Sequence, residues 1–243
     1  QIMNMFYMLY KVLQTKLIHF EKIEYFIPNI KVYKQFLIQG IPSSLNMLTM
    51  AIGSLILTYF VSHYGMYAVA GFGIGYRVEQ LMLLPALGLS TAVLALVSNN
   101  FGAKKYDRVQ EIFSTALKFG FIISTIGIVT LTILGKFIIS LFDSNPIVIG
   151  FGVDFLLVEI WIFYAYVILF ICVATLQAIK QPKMILFIGL YRQIFAKIII
   201  SYLIVKYFEL DFIYLWFGIL FMIYSAAIFA YFYTSKILNK FYN

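Results

Sequence analysis

Five ionisable side chains lie inside long apolar runs of this sequence, and they are the residues best placed to do chemistry. They are Arg77, Glu79, Glu159, Arg192 and Lys197. A charged side chain at the depth of a lipid bilayer is costly unless it is paired or hydrated, so such residues mark ion pathways, ligand sites or internal ion pairs. We therefore expect them to face protein or a water-filled cavity.

Glu79 belongs to a stripe of small residues. Gly71, Gly75, Glu79, Ala86 and Ser90 recur at steps of four and seven, which places them on one helix face. Small residues let membrane helices approach each other closely, so this face is predicted to contact another helix. Two interpretations of Glu79 stay open: a proton or cation site, and one half of a structural ion pair.

Glu159 shares a helix face with Phe170 and with several residues suited to line a cavity. It is a second candidate for an ion site, with a carboxylate that reaches water near the membrane surface as the alternative. Aromatic side chains on such a face can hold organic cations by cation–π contact. The candidate cavity-lining residues are Phe163, Tyr166 and Gln177 of this run and Asn46 and Thr49 of an earlier one.

The basic residues at membrane depth are candidate charge partners of the two acids. We expect Arg192 and Lys197 to neutralise Glu79 or Glu159, and direct contact with an anionic substrate is the alternative. Arg77 is a third candidate partner because it lies two residues before Glu79.

Other kinds of site are disfavoured. His19 and His63 lie far apart in the sequence, so no metal site is predicted, and no cofactor either. The glycines of the run 71–75 lack the strand, the loop and the later acid of a nucleotide-binding motif. Cys172 is the single cysteine, which excludes an intrachain disulfide.

The composition is that of a membrane protein. Hydrophobic residues make up 63% of the chain and charged residues 12%, against about 25% charged residues in soluble domains. The net charge of +8 would raise nucleic acid as a partner of a soluble chain. Here the positive charges lie between hydrophobic runs, where topology requires them, so the lipid bilayer is the predicted partner and nucleic acid is not.

An all-α, polytopic bundle of about six transmembrane helices is therefore predicted. Residues 1–17 are interpreted as the end of a preceding helix, cut because the chain starts in mid-run, and residues 18–35 as a cytoplasmic connector. Residues 36–236 form the six-helix lobe and residues 237–243 a cytoplasmic tail. The predicted spans are 36–61, 68–100, 112–133, 147–178, 184–205 and 212–233.

The loop charges predict the orientation of these spans. Lys and Arg concentrate in the connector, in the loops near Lys104 and Lys180, and in the tail, whereas the alternate loops hold most of the acids. The positive-inside rule then places the basic loops and both ends in the cytoplasm. Pro85 and Gly88 are predicted to bend the second span, and Trp161 and Trp216 to lie at the membrane interface.

Several short motifs resemble those of the MATE (multidrug and toxic compound extrusion) transporters. They are Gly40-Ile41-Pro42, Tyr64-Gly65, Arg77-Val78-Glu79, Leu84-Pro85 with Gly88, and Asn100-Phe101-Gly102-Ala103-Lys104. The resemblance covers most of residues 36–236 and is to the second of the two six-helix lobes of that family.

The resemblance implies a secondary antiporter of the cell membrane, not an enzyme. Such a protein exports drugs or organic cations in exchange for H⁺ or Na⁺. It implies an N-terminal lobe of the same protein as a partner, a central cavity between the lobes and alternating access by rocking. One lobe alone is not expected to transport.

The chain departs from the family at three places. Sodium-coupled members carry an acid that aligns near Tyr166, and a second acid in the first span, where this chain offers Gln39, Ser43, Ser44, Asn46 and Thr49. Ser98-Asn99-Asn100 also stands where the family has a run of Gly-Gln-Asn type. A sodium site in this lobe is therefore in doubt, with Glu159 as a substitute and a coupling site in the other lobe as the alternative.

Three rival functions remain. A lipid-linked saccharide flippase of the same superfamily would have a broadly cationic cavity, whereas acids and bases are matched here. An intramembrane enzyme needs a metal cluster or a nucleophile with a base, and no His lies inside a predicted span. The third rival is a non-transporting membrane fragment.

Overall fold

The computed structural model describes residues 2–14 and 30–242 of the chain. Most of the predicted connector, 18–35, therefore lies outside the described residues. The structure forms two compact units, Gln1–Gly40 and Ile41–Asn243. The candidate site lies entirely within the second unit. The predicted division into connector, lobe and tail stays a prediction.

The described residues form helices, as predicted, and no strand. Four long helices occupy the first part, namely α1 (Ile2–Gln14), α2 (Ile30–Val61), α3 (Met66–Gly102) and α4 (Tyr106–Ser140). They are followed by α5 (Pro146–Ala178), α6 (Pro182–Leu190), α7 (Ala196–Tyr202) and α8 (Phe212–Tyr242). A π-helical turn, Tyr191–Phe195, joins α6 to α7, and a second one, Leu203–Tyr207, extends α7.

Five helical segments are long and apolar enough to cross a bilayer: α3, α4, α5, the segment Pro182–Tyr207 and α8. They match the last five predicted spans. The first predicted span lies within α2. The apolar helical segment described there, Leu48–Tyr64, includes the short turn after α2 and is shorter than the other five. The all-α membrane bundle is thus confirmed, and a crossing by α2 stays a prediction.

Helix α5 is the centre of the second unit because it contacts α3, α4 and α8. Its start is set by Asn145, whose side chain accepts a hydrogen bond from the Ile147 amide at 2.9 Å, and by Pro146 in the first turn. Along its length α5 is more buried than the other spans. Most side chains of α5 are therefore covered by neighbouring helices.

The predicted small-residue face of α3 packs on α5. A Cβ atom added at Gly71 would lie 2.6 Å from the carbonyl oxygen of Val148, and one added at Gly75 would clash with the ring of Phe155. Further along, the Ser90 hydroxyl donates a hydrogen bond to the Phe170 carbonyl at 3.2 Å. This close approach confirms the prediction and brings Glu79 against α5.

Side-chain contacts hold loops and helix ends together at each end of the bundle. At one end, the Tyr64 hydroxyl donates a hydrogen bond to the Leu210 carbonyl at 2.8 Å; burial and then the charge of Asp211 raise the pKa of this phenol. At the other end, the ring of Phe241 in α8 contacts Phe101, with 5.2 Å between centroids. The loops near Tyr64 and Leu210 thus share one end of the bundle, and the end of α3 shares the other with the end of α8.

Helix α3 continues through Pro85, which lies inside it. A membrane helix tolerates proline because its surroundings re-satisfy the freed carbonyls. The bend that Pro85 and Gly88 predict stays a prediction.

Candidate functional site

A small cavity lies among the helices of the second unit, and the predicted ionisable residues meet there. Its volume is about 80 Å³, and α2, α3, α5, α8 and the segment Pro182–Tyr207 all contribute to its wall. We call it the charged cavity. Its polar lining includes Glu79, Glu159, Tyr166, Arg192, Gln193 and Lys197.

Two carboxyl groups share this cavity. Glu79 from α3 is 4% exposed and Glu159 from α5 is 2% exposed. Their side chains interact with each other in the cavity, and the Tyr166 phenol lies beside both. A hydrogen bond between two carboxyl groups needs a proton, because two carboxylates have only acceptor oxygens. The pair is therefore a place where a proton can be held.

Lys197 supplies a buried cation to the cavity from α7. Its Nζ donates to Gln193 Oε1 at 2.9 Å and to the carbonyl oxygen of Gly53 at 3.4 Å. Glycine is required at position 53 because an added Cβ would lie 2.9 Å from the Gln193 carbonyl oxygen. The close approach of α2 thus gives the lysine its second acceptor.

Arg192 is the second cation of the cavity. Its guanidinium carbon lies 5.8 Å from the ring centroid of Tyr166, which is cation–π distance. Its Nε is buried and has no hydrogen-bond partner among the described residues. Arg192 and Gln193 both lie in the π-helical turn, a local widening of the helix that is frequent at functional sites.

An aromatic wall closes one side of the cavity. Trp216 is fully buried, 4.5 Å from the ring of Phe155 and 5.3 Å from that of Phe72. The expected position of Trp216 at the membrane interface is therefore wrong, whereas Trp161 is 54% exposed. An apolar run looks the same in sequence whether it faces lipid or protein, so nothing in the sequence distinguished the two.

Three other lining residues were not found from the sequence. Ser54, Tyr76 and Gln80 face the cavity from α2 and α3. The sequence carries a weak signal for Tyr76, which lies three positions before Glu79 and four before Gln80, because residues three and four apart are neighbours on a helix surface.

Several predicted site residues lie elsewhere. Arg77 is exposed. Residues two positions apart on a helix point about 200° away from each other, so Arg77 is not a partner of Glu79. Phe163 is buried against α4, where Ser124 donates to its carbonyl oxygen at 3.2 Å. Gln177 shares the face of Glu159 but lies about 27 Å further along α5, where it is exposed.

The two predicted lining residues of α2 do not extend the cavity. Thr49 is buried but is not part of the lining. The side chain of Asn46 lies outside the described residues. Tyr166 is thus the one cavity-lining candidate that the structure places in the lining.

The charged cavity combines two acids with two bases at membrane depth. With one proton on the acid pair the four groups carry one net positive charge, and after proton release they are neutral. Among the described residues there is no cluster of three or more His, Cys, Asp or Glu that could hold a metal ion. This chemistry favours the binding and release of a proton or of one small monovalent cation.

The chain is similar to known proteins in sequence and in structure. A family model described as MatE matches residues 42–203. The "Probable multidrug resistance protein YoeA" of Bacillus subtilis is 23% identical over 74% of this chain and 39% of its own length. The "Multidrug export protein MepA" of Staphylococcus aureus is 26% identical over 64% of this chain and 34% of its own length.

Solved structures share the fold. A MOP superfamily transporter from Pyrococcus furiosus superposes with a TM-score of 0.85 at 21% identity, covering 91% of this chain and 50% of that one. An inward-facing multidrug resistance transporter superposes with a TM-score of 0.79 at 22% identity, covering 88% and 50%. The chain thus spans about half the length of these proteins.

Proposed function

Because this chain belongs to the MatE family, we propose that it is one half of a transporter that exports drugs or organic cations. The family match over residues 42–203 confirms the resemblance carried by the short motifs of the sequence. The names of its relatives, a multidrug resistance protein and a multidrug export protein, support drug export and do not favour the saccharide flippase.

The proposed coupling step is exchange of a proton at the Glu79–Glu159 pair. The observation that carries it is the contact between these two carboxyl groups on different helices, both almost fully buried. A proton between them removes a like-charge repulsion that would otherwise be large in a low-dielectric interior. Arg192 and Lys197 balance the doubly ionised pair once the proton has left, so both protonation states can exist.

The organic substrate binds outside the charged cavity in this proposal. Sites for drug-sized ligands measure about 300–1,000 Å³, whereas the charged cavity measures about 80 Å³. The substrate site is then the space between this half and the other half of the transporter, as in other repeat-built transporters. Movement of α3 against α5 would transmit a change in the protonation of the pair to the substrate site.

The test is efflux of a fluorescent organic cation, such as ethidium, from vesicles that contain the whole transporter. An imposed pH gradient is expected to drive efflux, and an imposed Na⁺ gradient at constant pH is not. Efflux driven by Na⁺ alone would replace the proton by sodium as the coupling ion. Efflux that responds to neither gradient would remove the antiporter proposal.

We also propose that the loops near Lys104 and Lys180 and the C-terminal end face the cytoplasm, from their excess of basic residues. Single cysteines at positions 64 and 105, in a background with Cys172 replaced, test this orientation. An impermeant thiol reagent added to intact cells is expected to label position 64 and to spare position 105. The reverse pattern would invert the assignment.

A further inference from the structure

A second cavity of about 380 Å³ lies between α3 and α4, and it shares no lining residue with the charged cavity. Its walls are apolar, with Leu89, Val93 and Leu96 on α3 and Ala116 and Phe119 on α4. We call it the α3–α4 groove. Its size and lining suit a flexible hydrocarbon chain, because apolar CH₂ groups bind favourably against apolar walls.

One end of the groove is polar. Asn100, Arg108 and Glu111 line it there, next to the loop that joins the two helices. Helix α4 has 35 residues and is about 52 Å long, whereas the hydrocarbon core of a bilayer is about 30 Å thick. The first turns of α4 therefore extend beyond the hydrocarbon, to the level of the lipid headgroups.

The polar groups at this end are not used by the protein. Arg108 and Glu111 are exposed and, among the described residues, their side chains make no hydrogen bond or ion pair. They lie three positions apart on α4, about 5–6 Å between Cβ atoms. The Asn100 amide donates to the Leu96 carbonyl at 2.8 Å, so its own oxygen remains an acceptor.

This end of the groove thus offers one cationic donor beside one anionic and one neutral acceptor. A phosphate diester matches the guanidinium, which binds phosphate with two parallel hydrogen bonds. A primary ammonium matches the carboxylate and the amide oxygen. A choline group has no N–H to donate, and a glycerol headgroup has no positive charge.

We propose that the α3–α4 groove binds a glycerophospholipid whose headgroup carries a primary ammonium, such as phosphatidylethanolamine. One acyl chain lies along the apolar walls, the phosphate contacts Arg108, and the ammonium contacts Glu111 and the Asn100 oxygen. Basic pockets between transmembrane helices bind anionic headgroups; the added carboxylate here changes the preference to a headgroup with both charges. The site uses neither Glu79 nor Glu159 and is independent of the proposed transport cycle.

The experiment measures thermal unfolding of the purified whole protein in detergent with added phospholipid. Phosphatidylethanolamine is expected to raise the melting temperature more than phosphatidylcholine or phosphatidylglycerol with the same acyl chains. Glu111→Gln is expected to abolish the preference for ethanolamine over choline, and Arg108→Gln to weaken the response to all three. Lys206→Gln and Glu209→Gln, exposed charges near the other end of the bundle, are matched controls and are expected to keep the wild-type order.

Two kinds of result would contradict the proposal. Equal shifts with ethanolamine and choline lipids, or a preference that survives Glu111→Gln, would show that the headgroup is not read at this position. If no lipid changes the melting temperature, another part of the protein covers the groove, and the proposal is overturned.

Discussion

Glu79→Gln is expected to reduce pH-driven efflux of an organic cation to the level of empty vesicles. Glutamine has nearly the shape of glutamic acid and can still donate a hydrogen bond to Glu159, but it cannot release a proton. The protein should therefore fold, with a free energy of unfolding within about 1 kcal/mol of wild type, the size of one ordinary hydrogen bond. Efflux from reconstituted vesicles and thermal unfolding of the same preparation measure both quantities.

The control is Glu209→Gln, the same substitution at an exposed glutamate. It should leave both efflux and the free energy of unfolding unchanged. A purely structural pair behaves differently, because removal of one partner from a buried ion pair costs about 3–5 kcal/mol. A strongly destabilised Glu79→Gln protein, or a stable one with normal efflux, would exclude this residue from the coupling step. The other half of the transporter would then hold the coupling site.

Gly71→Ala is expected to destabilise the protein by about 1–3 kcal/mol, the usual cost of overpacking. An added Cβ would lie 2.6 Å from the Val148 carbonyl oxygen and 2.8 Å from the Gly152 amide nitrogen. Both are backbone atoms of α5, so no side chain can rotate away, and α3 must shift. The melting temperature should fall by several degrees, since 1 kcal/mol corresponds to about 2–4 °C in chains of this size.

Gly73→Ala is the matched control in the same helix. No atom of the described structure lies within 4 Å of a Cβ added there. Alanine then only improves the helix propensity, by roughly 0.5–1 kcal/mol, and the protein should be as stable as wild type or more so. Equal effects of the two substitutions would show that α3 does not depend on close contact with α5 at Gly71.

The apolar runs and the small-residue stripe determined much of the fold without any tertiary information. The last five predicted spans reappear as helices because a chain in lipid must satisfy its backbone hydrogen bonds within each segment. The stripe from Gly71 to Ser90 predicted a close helix contact, since periodicity assigns residues to a common face. The expectation that Glu79, Glu159, Arg192 and Lys197 face the protein interior follows from the cost of charge in lipid.

Only the tertiary structure decided which of these residues meet. Periodicity places a residue on a face, but it does not say which helix that face contacts or how far along the axis. Gln177 therefore shares a face with Glu159 without sharing its cavity. Trp216 and Gly53 carry no charge and no motif, so their place beside the site depends on how α8 and α2 pack. The contact between Glu79 and Glu159 arises in the same way, because it joins side chains of two helices that are 80 residues apart in the chain.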